Sequence, residues 1–180
     1  MTALDRASAP DWQMAPSLKR LARRPGERPM IAPKWPCLQL DQTAENGLGA
    51  GFEKAILALP GVLRCVPPHI APGLGFALNE DLARGQPEAF LGDDCWMNLR
   101  SDGAMHLGLR PEWAQKVLDR GWATIHPFAR YMAGAVPPQS LIVYAPRDAS
   151  ELAVTLRIAT AAHGYAMGRI GDLILPDTRW

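Results

Sequence analysis

The stretch Cys95–Pro127, CWMNLRSDGAMHLGLRPEWAQKVLDRGWATIHP, decides how the chain folds. Cys95, Met97 and Leu99 alternate with Trp96 and Asn98. After Ser101-Asp102-Gly103, Met105, Leu107 and Leu109 alternate with Ala104, His106 and Gly108. Successive side chains of a strand point to opposite faces. Ser-Asp-Gly is good turn chemistry, because Gly accepts positive φ. The pattern predicts a β-hairpin with one greasy face. Its other face collects Trp96, Asn98 and His106 beside two small residues, Ala104 and Gly108, as the floor of a small-molecule pocket would. Pro111 and Glu112 then suit the first turn of a helix, and Gly121 suits its C-terminal end. Trp113, Ala114, Val117 and Leu118 form its buried stripe. Trp122–Ile125 reads as extended and ends in His126-Pro127.

Outward from this stretch, the apolar spacing of Phe52, Ala55, Ile56 and Leu59 predicts a helix over Asn46–Leu59. Short strands are expected at Val62–Val66 and Gly73–Leu78, with an edge strand at Glu88–Leu91. Downstream, Phe128–Pro138 has no regular pattern and reads as a lid or pocket-rim loop. Leu141–Ala145 reads as a buried strand. Asp148 caps a last helix reaching about Met167, with Glu151 placed as in a capping box. The tail Arg169–Trp180 is expected to fold back over the surface. The hairpin demands an antiparallel sheet, and no Gly-rich strand-to-helix fingerprint is present. The expected fold class is α+β, an antiparallel sheet with helices packed on one face.

Two parts are expected: a basic, Pro-rich arm over 1–46 and a single domain over 47–180. Residues 1–36 carry seven Lys/Arg against three acids. Pro16–Arg24 could form a short helix with Leu18 and Leu21 as its only anchors, and Trp12 and Trp35 could pin the arm to the domain. The arm therefore reads as an extended strap on the domain, as a partly disordered segment, or as a basic surface for a protein partner.

Composition narrows the function classes. At 180 residues, 48% hydrophobic and 21% charged, the chain has the make-up of a soluble domain with a core. A net charge of +1 gives no reason to expect nucleic acid. Cys37, Cys65 and Cys95 are odd in number and lack paired-ligand spacing, so neither a disulfide framework nor a zinc site is expected. There is no membrane-spanning run and no hydrophobic signal core, so a cytoplasmic location is expected. Ser140 and Ser150 lack a nucleophile-elbow context. Asp93 and Asp94, adjacent in sequence, do not share a face.

From about Asp94 to Gly168 the chain resembles the fungal luciferase family, small domains found in light-emitting fungi and many bacteria. Met105-His106-Leu107, Gly121-Trp122, His126-Pro127, Tyr144-Ala145-Pro146-Arg147, Glu151 and Tyr165 carry the match. The resemblance implies oxidation of a hydroxylated pyrone by molecular oxygen, without an organic cofactor and with loss of carbon dioxide. The expected catalytic residues are His106 and His126, whose proton transfer would generate an electron-rich anion. Trp96, Asn98, Tyr144 and Arg147 are the expected substrate-binding residues, and no metal ligand set is expected. Each has a plainer alternative: a strand histidine satisfied by its surroundings, a loop-holding histidine, a core tryptophan, an Arg147 paired with Asp148 or Glu151. His69 and His163 read as structural.

The family's usual His-x-His pair is replaced here by Trp96 and Asn98. Two functions follow as expectations. One is an enzyme on a small aromatic or enolic metabolite, using oxygen or acid–base chemistry. The other is a binding or interaction module that has lost catalysis along with that pair.

Overall fold

The computed structural model describes residues 11–43 and 48–174. The expected helix start at Asn46, residues 1–10 of the arm and the tail after Ile174 lie outside the described residues. Eight strands are described: β1 (Val62–Cys65), β2 (Leu74–Leu78), β3 (Cys95–Leu99), β4 (Met105–Gly108), β5 (Ala123–Ile125), β6 (Ser140–Val143) and a small hairpin, β7 (Arg169–Ile170) and β8 (Leu173–Ile174). The helices are α1 (Leu48–Leu57), α2 (Pro111–Asp119), α3 (Pro127–Tyr131) and α4 (Ala149–Ala166). The first six strands make one sheet in the order β1-β2-β3-β4-β6-β5, and every pairing is antiparallel. The fold is α+β.

Alternation in the hairpin sends Met97, Leu99, Met105 and Leu107 into one core cluster with Phe52 and Ile56 of α1, Trp113 and Val117 of α2, and Ile158 and Ala162 of α4. Burial of such side chains contributes about 1.5–3 kcal/mol each, which is what holds the helices to this face. Local signals act as expected at the helix ends. Pro111 opens α2, and Gly121 follows it at φ 79. Asp148 caps α4 by accepting the Glu151 N–H at 2.9 Å. The capping box is altered, however. Glu151 does not return to the cap residue, and its carboxylate accepts from the Arg147 backbone N–H at 3.0 Å.

Four expectations change. Glu88–Leu91 is not a strand; Pro87 opens a single 3-10 turn, Pro87–Ala89, because its ring fixes φ and removes a ladder donor. The rim loop contains α3, started by Pro127 with His126 as its cap. In the arm, the expected helix Pro16–Arg24 shrinks to one 3-10 turn, Pro16–Leu18, preceded by another at Asp11–Gln13, because the following backbone is drawn to the domain. Arg24 N–H donates to Arg120 O at 2.8 Å, and the indoles of Trp113 and Trp122 donate to Gln13 O at 2.8 Å and Ala22 O at 2.7 Å.

The fourth change concerns Trp96. Phe76 pairs with Met97 but Ala77 pairs with Cys95, so β3 has one residue too many against β2. This β-bulge breaks the alternation at Trp96. Trp96 is fully buried in the helix-side core, its ring 5.5 Å from that of His163 on α4.

The arm covers the opposite face of the sheet. Ile31 and Cys37 pack on Ala104, Ile142 and Ala145, together with Phe128 of α3, and Trp35 stacks on Phe128 at 5.7 Å. Gln39 ties this segment down: its N–H donates to Asp102 Oδ2 at 2.6 Å, and its side-chain oxygen accepts from Ala145 N–H at 2.9 Å. At the other end, Arg24 reaches Glu151 at 3.5 Å, and Glu151 also pairs with Arg147. Leu18 and Leu21 complete the main core. Among the described residues, no helix is long and apolar enough to cross a membrane.

Candidate functional site

The site is built on the sheet face beneath the arm. Asn98 on β3 pairs directly with His106 on β4, and His106 pairs with Ile142 on β6, whose partner on β5 is Thr124. Directly paired residues share a face, so these four form one row across the sheet. One step along, Gly108 pairs with Ser140, and His126 N–H donates to Ser140 O at 3.0 Å. Period two therefore returns His126 and Ser140 to the face that carries His106. The two imidazole centroids lie 4.5 Å apart with their planes tilted by 35°. Arg100, two residues beyond Asn98, extends the same row of side chains toward the arm, where its guanidinium donates to the Pro36 carbonyl.

Unpartnered polar atoms concentrate here. Among the described residues, eight buried side-chain nitrogens and oxygens have no hydrogen-bond partner in the protein. Five of them, Asn98 Oδ1, Arg100 Nε, His106 Nε2, His126 Nε2 and Ser140 Oγ, come from this one face. Each such group costs about 1–3 kcal/mol when left unmet. Folded proteins pair nearly all of their buried polar groups. The concentration of such groups on five neighbouring residues makes this face the candidate site.

The histidines are held neutral. His126 is pushed down to about 4, first by burial and then by the nearby Arg100 guanidinium. Burial also takes His106 well below the usual histidine value, helped by His126, Arg100 and His69. The tautomer of His126 follows from its capping role. Phe128 N–H donates to its Nδ1 at 3.1 Å, so the ring proton sits on the unpartnered Nε2. His126 thus presents an N–H donor, and His106 a neutral imidazole free to accept a proton. Among the described residues, no three His, Cys, Asp or Glu side chains gather as a metal site would require.

The expected site residues divide. His106, His126 and Asn98 come together. Tyr144 lies on the same face at its β5 edge, buried, with the Arg24 guanidinium 5.6 Å above its ring. It helps to line an open pocket of about 250 Å³ with Ile31, Thr124 and Pro127. The histidines do not line that pocket; they lie beside it, where Cys37 and Ile31 cover the sheet. A shallower groove of about 430 Å³ between α1 and β1 is lined by Glu53 and Arg64, which pair with each other. It holds no unpartnered buried group, so the sheet face is the stronger candidate. Trp96 stands on the helix side, away from the site. Arg147 is engaged by Glu151 and by Pro25 O at 2.9 Å, at the anchor of the arm. The expected open space is also filled. A Cβ on Gly108 would lie 2.5 Å from Glu88 O, and Ala104 is covered by Cys37.

Residues 84–162 match the family model of the luciferase domain. Over 64 residues the chain is 36% identical to proteins named luciferase from Armillaria gallica, Armillaria mellea and Armillaria ostoyae. Residues 84–162 are similar to the luciferase domain. The alignment covers 36% of this chain and 24% of each relative, so the chain spans about a quarter of the length of the curated relatives it matches. No solved structure matches.

The matched stretch contains every unpartnered polar residue of the face, from Asn98 to Ser140, and also Glu151, to which the arm is anchored. The arm that roofs the face lies before it. Two residues of the face, Arg100 and Ser140, escaped the sequence reading. Carrying the alternation of Asn98 one step past Leu99 points to Arg100, and starting the last strand one residue before Leu141 points to Ser140.

Proposed function

We propose that this luciferase-like domain binds a small aromatic or enolic metabolite on the His106/His126 face and oxidises it with molecular oxygen, without an organic cofactor. The cluster of five unpartnered polar groups around two neutral imidazoles carries this reading. A hydroxyl on the substrate donates to His106 Nε2, which takes its proton as general base. The oxyanion left behind accepts from His126 Nε2–H, whose tautomer is fixed by Phe128 before the substrate arrives. Such preset donors are effective because they need no reorganisation as charge develops. The electron-rich anion is the species that meets oxygen. That the Armillaria relatives are named luciferases supports oxygen chemistry, though light emission is not part of this proposal.

Oxygen consumption with a panel of hydroxylated pyrones and related enols tests the reading. His106→Ala should lower the rate about a hundredfold or more, the usual scale for losing a general base. An unchanged rate in that variant would remove His106 from the chemistry.

A second reading is favoured by Asn98, which stands opposite His106 where the family pattern carries a histidine. On that reading the domain binds the same ligand class without converting it. A pyrone recovered unaltered from saturable binding would support it, and turnover would exclude it.

A further inference from the structure

We propose that Arg100 is the anion-holding residue of this face, and that the ligand is a planar organic acid bound as its oxyanion. This rests on the face being the ligand site and not on any oxidation there.

Arg100 is buried, and its guanidinium stays charged at any ordinary pH. A buried cation is expected to have its charge met at close range. Its acidic neighbour Asp102 meets that charge as a buried ion pair, but without a hydrogen bond, so Arg100 keeps an unused N–H donor. Asp102 Oδ1 is 3.7 Å from Arg100 Nε, beyond hydrogen-bond range. Both Asp102 oxygens are committed elsewhere: Oδ1 accepts from Ala104 N–H at 3.0 Å, and Oδ2 from Gln39 N–H at 2.6 Å. Asp102 therefore serves the turn and the arm. Arg100 donates to one neutral carbonyl, that of Pro36, and its Nε–H has no acceptor.

The rest of the face fits an oxyanion. His126 Nε2–H is a second unpartnered donor, and Ser140 Oγ can serve as a third. Fixed N–H donors around a carboxylate, enolate or phenolate oxygen are the strong class of hydrogen bond. On the same face a pocket of about 250 Å³ opens beside the histidines, though neither they nor Arg100 line it. Ile31, Pro127 and Tyr144 give it apolar and aromatic walls suited to a flat ring. One rival cation is present: Arg130 lines the same pocket but is exposed at its mouth.

Calorimetric binding of benzoate, of a hydroxylated pyrone and of its O-methyl ether tests the assignment in the wild-type chain, Arg100→Met and Arg130→Met. Arg100→Met should weaken the two acids by about tenfold to a hundredfold and leave the neutral ether unaffected. Arg130→Met should weaken the acids less than Arg100→Met does. Acids that bind Arg100→Met as well as wild type, or that fail to bind wild type, overturn the proposal. A loss in Arg130→Met alone also overturns it. Arg100-dependent binding with no oxygen consumed would uphold this assignment and refute the proposed oxidation. Should Arg100→Met not fold, the Arg100 Nε–H resonance of the wild-type protein decides. It should shift saturably as benzoate is added, and a stationary signal overturns the assignment.

Discussion

Replacing His126 by Asn should remove much of the protein's acid sensitivity. His126 is fully buried, and its folded value is about 4, against about 6.5 for an unperturbed histidine. The unfolded chain therefore binds a proton that the native state rejects. Between these two values acidification favours unfolding, so the stability is fully present above about pH 6.5 and is lost as pH falls toward 4. A gap of roughly 2.5 units corresponds to about 3 kcal/mol, with a limiting slope of about 1.4 kcal/mol per pH unit. His106 and His163 are shifted in the same direction, both chiefly by burial, and steepen the wild-type curve further. The variant isolates one contribution. Asn can still accept the Phe128 N–H as a helix cap, but it does not titrate in this range. Urea unfolding of both proteins at several pH values from 4.5 to 8 provides the comparison. The variant should lose about one proton's worth of slope. Parallel curves for the two proteins would show that His126 is not the buried neutral group described here.

Two further substitutions probe the architecture around the site. Trp96→Phe should cost about 1–3 kcal/mol in urea unfolding, because it empties part of the helix-side core. Ligand affinity should not change; a selective loss of affinity would return Trp96 to the site. Glu151→Gln should destabilise the fold by about 3 kcal/mol, since it leaves the buried Arg24 guanidinium without its counter-charge. Limited proteolysis should then cut first within the arm, and an arm that stays as protected as in wild type would argue against the Arg24–Glu151 anchor.

The parts that sequence made legible are those set by neighbours along the chain. Ser101-Asp102-Gly103 forces a hairpin, Pro111 opens a helix, and Asp148 caps one, each through interactions within a few residues. The position of Trp96 was not legible, because the bulge that turns it inward depends on how β2 meets β3. That the arm straps the domain was one of its readings, but the face it covers was not legible. The arm is held by side chains about a hundred residues away, Trp113 and Trp122 among them, and nothing in its own periodicity announces them. His106 and His126 are twenty residues apart in sequence; strand pairing through Ser140 is what brings their rings together. Arg147, by contrast, took its plainer role, because a carboxylate four residues along the same helix start was within easy reach.

Imidazole NMR during titration with a hydroxylated pyrone tests most directly whether this face is the ligand site. The ring signals of His106 and His126 should both move saturably with the ligand, while that of His163, packed against Trp96 on the other side of the sheet, stays in place. Movement at His163 or at surface positions, with His106 and His126 unchanged, would place the ligand elsewhere and contradict the assignment.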